Sequence, residues 1–143
     1  MLVDFVKSNV NPKNRKTCDC VIRALTVAIH DENRDIKKEY YEVLNELVNI
    51  SIKTGYMIND KHVYETFLEN HGFIKYRQPR KRDNTKYQIG EIKSVLNDDV
   101  VNYDEDKSTC VISCANHLTV YTNVIVDTWD CRNKSIGNYW VKW

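Results

Sequence analysis

The sequence predicts an α+β domain, with helices first and an antiparallel sheet last. Three observations lead there. Apolar residues in the first half recur at helical spacing. The last third, through CVISCA, HLTVY, VIVDTW and SIGNYWVKW, is rich in Val, Ile, Tyr and Trp in short alternating or continuous runs. At 143 residues, the chain is long enough to bury one real core, so residues 1–143 read as a single domain. Helices followed by strands place the first helix against the sheet.

Residues 1–16 read as an irregular lead-in, with NPKN as turn chemistry. From Thr17 the pattern turns helical. Val21, Ala24, Leu25, Ala28 and Ile29 form one stripe, Thr17 or Asp19 can cap its start, and His30-Asp31-Glu32-Asn33 ends it. A second helix is expected from about Asp35 to Ile50, with Tyr40, Val43, Leu44 and Leu47 on one face. A third is expected from Asn59 or Asp60 to Asn70, stopped by His71-Gly72-Phe73 with glycine in the left-handed position. Ile74–Arg77 suits a short strand, RQPRKRDNTK a basic connector, Ile89–Leu96 a short helix, and Asn97–Asp106 an acidic turn. The strands follow.

Composition narrows the function classes. The formal net charge is +1, so no global field favours nucleic acid or a membrane surface. No apolar run approaches the roughly 18 residues of a membrane span. The opening MLVDFVKSNV lacks a basic stretch followed by a long apolar region, which predicts no signal peptide. The five cysteines (Cys18, Cys20, Cys110, Cys114 and Cys131) are an odd number, which argues against a disulfide framework and for the reducing cytoplasm.

Cys20 falls in the first turn of the first helix, where unpaired N–H groups favour a thiolate. Extending the apolar stripe backwards reaches position 18, so Cys18 is expected to be buried and inert, while Cys20 lies beside the stripe. Both thiols also suit small core positions. A nucleophilic thiol needs a base, and the base an orienter; His117 and Asp127 have the right types. His117, Thr119 and Tyr121 share one face of a strand, expected to be the polar one, with Leu118 and Val120 on the other. His30, His62 and His71 sit on or at the ends of helices among charged neighbours and read as solvated.

Cooperation between His117 and Asp127 requires one sheet face. A two-residue turn at Thr122-Asn123 would put Asp127 opposite Leu118, on the wrong face. A three-residue loop at Tyr121-Thr122-Asn123 puts Asp127 opposite His117, and the same loop shifted by one residue makes them diagonal neighbours. An odd loop or an equivalent bulge is therefore expected; otherwise Asp130 is the next orienter to examine. A zinc set of Cys110, Cys114, His117 and Cys131 is disfavoured, because its spacing is not a standard knuckle pattern and Cys110 and Cys114 are expected on the opposite strand face from His117. No metal and no cofactor are assigned.

NRKTCDCVIRAL near the start and NHLTVYTNVIVDTWDCRNKSIGNYW near the end together resemble the papain-like cysteine peptidases. They are closer still to the small papain-like proteins common in phages and mobile elements of low-GC bacteria. Those share a D-C-V-x-R-A-L helix start, a histidine opening a strand, and D-T-W-D before a final aromatic strand. The middle, about residues 50–105, matches mainly in its helix ending L-x-x-x-G-F. The resemblance implies a papain-like fold with Cys20 as nucleophile, His117 as general base and acid, Asp127 as orienter, and Trp129 shielding the histidine's hydrogen bond. Asn14 stands where the family carries an oxyanion-binding glutamine and offers the same donor group on a shorter arm. The Cys-Gly-Ser-Cys-Trp segment of lysosomal-type enzymes is absent.

Two functions follow from that resemblance. One is a thiol hydrolase acting on peptide or isopeptide bonds through an acyl-enzyme. Its substrate would be a protein or peptide, in the cytoplasm of a host if the chain is phage-encoded. The other is a catalytically silent relative that binds a host protein through the basic 77–86 loop, flanked by Tyr76 and Tyr87. A solvated connector is the simpler account of that loop.

Overall fold

The computed structural model describes residues 2–143. Four helices and six strands make an α+β domain: β1 (Phe5–Lys7), α1 (Cys20–Ile29), α2 (Ile36–Thr54), α3 (Lys61–Asn70), β2 (Ile74–Tyr76), α4 (Ile92–Asp99), β3 (Thr109–Cys114), β4 (His117–Tyr121), β5 (Ile125–Asp127) and β6 (Tyr139–Lys142). A 3-10 turn, Ile89–Glu91, leads into α4. The strands form one sheet in the order β1-β5-β4-β3-β6-β2. No helix among the described residues is long and apolar enough to cross a membrane.

The helix boundaries follow from local chemistry. Asp35 and Asp60 cap α2 and α3 by accepting from the N–H groups of Lys37 and His62. Helix α2 runs a turn beyond the expected Ile50 and stops at Gly55, whose φ of 82° is a left-handed stop open to glycine at no cost. Gly72 takes φ +83° after α3, and the Phe73 N–H returns to the Leu68 carbonyl at 2.9 Å, as the HGF stop predicts.

Two cores flank the sheet. On one face α1, α2 and α3 bury Leu25, Leu47, Val63, Phe67 and Leu68 against Val111, Leu118, Val120 and Trp140. On the other, α4 and the loops bury Ile89, Ile92, Leu96 and Cys131 against Cys110, Ile112, Tyr121, Ile125 and Tyr139. The face of β4 expected to be polar is therefore buried too: Thr119 and Tyr121 are each 1% exposed. A strand sandwiched between helical layers has no wet side, whatever its alternation suggests.

Three further expectations are corrected. The lead-in is not wholly irregular, because β1 pairs parallel with β5, Phe5 against Ile125 and Lys7 against Asp127. The sheet is accordingly mixed rather than antiparallel. Cys18 is exposed, not buried. It lies before Asp19, the residue at the N-cap position, so helical periodicity does not extend back to it.

The β4–β5 loop is odd, as required. Tyr121 pairs with Ile125 and Val120 with Val126, leaving Thr122, Asn123 and Val124 as a three-residue connection. Asn123 takes φ 71°, a left-handed conformation that asparagine tolerates, and the Thr122 N–H donates to the Val124 carbonyl at 3.0 Å. This is the loop shifted by one residue, so His117 and Asp127 are diagonal neighbours on one face.

Candidate active site

The site forms where β4 begins, β5 ends and α1 begins. His117 is the first residue of β4 and Asp127 the last of β5, so both side chains stand at the end of the sheet. Helix α1 packs on β4 and brings its first residue, Cys20, to the same end. His117 Nε2 and Asp127 Oδ2 are 2.6 Å apart. That contact fixes the ring and leaves Nδ1 for the sulfur. Trp129 lies against the imidazole, ring centroids 4.9 Å apart, and covers it from solvent.

The electrostatics favour an ion pair. Burial opposes charge on Cys20, but hydrogen bonding to His117 and to the Leu118 backbone, with the charges of His117 and Arg23, outweighs it and holds the thiol below its ordinary value. The N-cap side chain of α1 makes no capping bond, so the partial positive charge of the helix start remains for the sulfur. Burial likewise disfavours a charged His117, yet the hydrogen bond it donates to Asp127, with Cys131, Cys20 and the Asp127 charge, pushes its pKa up to about 11. Asp127 is held below the usual carboxylate range despite burial, chiefly by its hydrogen bond with His117 and that residue's charge, and by the Thr128 N–H. The Thr128 N–H donates to Asp127 Oδ1 at 2.7 Å.

Behind the triad lies a buried polar network that the sequence reading did not single out. Arg23 donates to Asp19 at 2.7 Å and to Asp127 at 3.3 Å, with the guanidinium only 11% exposed. Asp19 also accepts from the Tyr40 hydroxyl at 2.7 Å and the Asn11 amide at 3.0 Å. Arg23 thus ties the Asp127 carboxylate on β5 to Asp19, the residue that precedes Cys20. The Asp19–Arg23 spacing of D-C-V-x-R was the available signal. On a helix, i,i+4 reads first as a surface pair, and only tertiary packing buries it.

Asn14, the expected oxyanion donor, sits in an exposed turn at φ 52°. It lines a cleft beside Cys18 and Asp19, not the one that holds both Cys20 and His117. The Cys20 N–H, at the helix start, lies at the thiol itself.

The remaining thiols and histidines take other places. Cys114 pairs with His117 across β3–β4 and Cys110 with Tyr121, so both share the His117 face, contrary to expectation. Cys110 is fully buried in the second core, and burial raises its thiol pKa. Burial pushes Cys114 up to about 11. The disfavoured zinc set of Cys110, Cys114, His117 and Cys131 does not come together among the described residues. Among the described residues, the group with ligand atoms close enough for a metal is His117, Asp127 and Cys131, all within 4.8 Å. Those atoms are already engaged with one another, for Cys131 Sγ donates to Asp127 Oδ2 at 3.7 Å and His117 holds the same oxygen. His30, His62 and His71 are not merely solvated; they meet Glu39, Asp60 and Glu46.

No family model, no curated protein and no solved structure matches this chain.

Proposed function

We propose that the chain is a thiol hydrolase of papain-like type, a cysteine peptidase or isopeptidase working through Cys20, His117 and Asp127. The observation that supports this most directly is one imidazole bonded to a buried carboxylate at 2.6 Å while facing a thiol at a helix N-terminus. Nothing in core packing requires a thiol, an imidazole and a carboxylate to converge at the end of a sheet. The lowered thiol and the raised imidazole are the shifts expected of a nucleophile and its acid–base partner.

The chemistry runs as follows. The Cys20 thiolate attacks a carbonyl carbon and the oxyanion takes the Cys20 N–H. The His117 imidazolium gives its proton to the departing amine, leaving a thioester on Cys20 and a neutral ring. That ring takes a proton from water, whose oxygen attacks the thioester and releases the acid. The Cys20 thiolate and the His117 imidazolium return together. Asp127 keeps the ring in one tautomer throughout.

All five thiols are free, which fits the reducing cytoplasm that this reading assigns. The binding-only alternative gains less support, because charges of the basic loop are partly satisfied within the chain. Arg80 donates to Gln78 at 2.9 Å, and Lys81 pairs with Glu91 at 3.0 Å. The test is competitive labelling by iodoacetamide and an E-64-type epoxide. The reading requires Cys20 to react far faster than the other four cysteines, and equal reactivity of Cys20 and exposed Cys18 defeats it.

A further inference from the structure

Two clefts adjoin at Cys18, beside the start of α1, and their charge is lopsided. The larger, about 700 Å³, lies on the Trp129 side and carries Lys7, Arg15 and Lys16 on its walls. The smaller, about 380 Å³, holds Cys20 and His117 and carries Lys61. Cys18 lines both, and Trp129 of the larger packs on His117 of the smaller, so the larger cleft adjoins the one that holds Cys20. The single carboxylate on either lining is Asp19, which is 4% exposed and already bonded to Arg23, Tyr40 and Asn11. Lys7, Arg15 and Lys16 are exposed, and none forms an ion pair among the described residues. The chain as a whole has 21 basic and 20 acidic side chains, so a groove with several cations and no exposed acid departs sharply from the average surface.

From this juxtaposition we infer that the larger cleft is a substrate subsite for an acidic polypeptide segment, with side-chain carboxylates taken by Lys7, Arg15 and Lys16 beside the bond that Cys20 attacks. The assignment of that segment as substrate rests on the hydrolase reading. Trp129, 40% exposed, joins the two parts of the site: one side covers His117 and the rest lines the cleft, where it can hold an apolar portion of the same segment. Cations spaced around an open cleft attract carboxylates without demanding one geometry, so the preference is for charge rather than for one residue sequence. A peptide fits better than a nucleic acid because the adjoining cleft holds Cys20, whose proposed chemistry is carbonyl attack, and because the net charge of +1 supplies no wider basic field.

The experiment is fluorescence anisotropy on the Cys20→Ser protein, which binds without turnover. The probes are two labelled peptides of equal length and the same Gly, Ser and Phe framework, one with Glu and one with Lys at alternate positions. The Glu peptide is expected to bind about tenfold tighter, with an advantage that shrinks as salt rises. Lys7→Glu/Arg15→Glu/Lys16→Glu should invert the preference, and its gain of Lys-peptide binding shows that the variant folds. The same reversal at Arg77, Arg82 and Lys86 should leave the preference intact. Equal binding of the two peptides, a cleft-reversal variant that keeps the Glu preference, or a thymidine oligonucleotide binding tighter than the Glu peptide would overturn the inference. Iodoacetamide reactivity of the wild-type protein separates the two readings. An ordinary Cys20 thiol removes the hydrolase and leaves an acidic-peptide binding cleft. A hyper-reactive Cys20 without charge preference removes the subsite alone.

Discussion

Arg23 and Asp127 meet at 3.3 Å although 104 residues separate them. Asp127 is buried and Arg23 nearly so, and each has a second partner, Asp19 for the arginine and His117 for the aspartate. The contact is therefore the middle of a chain that runs from the N-cap of α1 to the imidazole. Arg23→Gln strands two buried carboxylates, and its expected cost is about 3 kcal/mol by denaturant unfolding. Arg23→Lys, which keeps the charge but not the fork, should recover part of that stability and less of the Cys20 labelling rate. Equal recovery of both would mean that Arg23 serves the fold alone.

Cys20→Ala should remove fast labelling entirely. Cys18→Ala should leave it intact and shift stability by less than about 0.5 kcal/mol, since Cys18 is exposed and packs into no core. Mass spectrometry of the alkylated peptides reads both outcomes. Loss of labelling in the Cys18 variant would move the nucleophile outside the helix.

The pH dependence follows from the two shifts. The Cys20 pKa is lowered, so its thiolate persists below the free thiol value of about 8.5. The His117 pKa is raised to about 11, so its cation persists above neutrality. Between the two the ion pair is populated, and alkylation should stay fast well below pH 8.5. In His117→Ala the cation is gone and the rate should follow an ordinary thiol. Identical profiles for the two proteins would dismiss the pair.

Acid stability provides an independent reading. Asp19 and Asp127 both have folded pKa values below their ordinary ones: burial opposes this, but their hydrogen bonds and neighbouring positive charge prevail. A depressed carboxylate contributes stability that is present above its unfolded pKa, about 3.9, and is lost as pH falls through the folded value. Unfolding free energy should therefore drop steeply below about pH 4. Asp19→Asn and Asp127→Asn should each start less stable at pH 7 and lose less on acidification. A wild-type curve as flat as theirs would contradict the network.

Register makes the loop a sensitive site. Its three residues keep Tyr121 opposite Ile125; a strong two-residue turn made by Thr122→Asn/Asn123→Gly favours Tyr121 opposite Val124 instead, which sends Asp127 to the opposite face from His117. The double variant should lower preferential Cys20 labelling, while Asn123→Gly alone, which accepts the same positive φ, should preserve it. Far-UV circular dichroism checks that the double variant still folds.

Much of the architecture was legible because its signals are local. Asp35 and Asp60 as caps, Gly72 as a stop, the stripe of α1 and the aromatic tail all act within a few residues. The odd loop was legible too, from parity once His117 and Asp127 were required to share a face. What escaped depends on distant segments. Strand β1 has three residues and no periodic signature, and it exists because β5 offers it an edge. Periodicity placed Cys18 on a helix that begins only at Cys20. The Asp19–Arg23 spacing carries no mark of burial, because Tyr40 and Asp127 enclose it only in the folded chain, and the second layer over Thr119 and Tyr121 left no mark on the strand itself.

The parallel pairing of β1 with β5 has a consequence for the order of folding. His117, Asp127 and the strand that anchors Phe5–Lys7 all lie far along the chain from Cys20. Closures between segments so distant in sequence form late. Until the sheet is assembled Cys20 has only its own helix start and Arg23 beside it, so on the proposed reading the thiol stays close to an ordinary cysteine while the chain is still open.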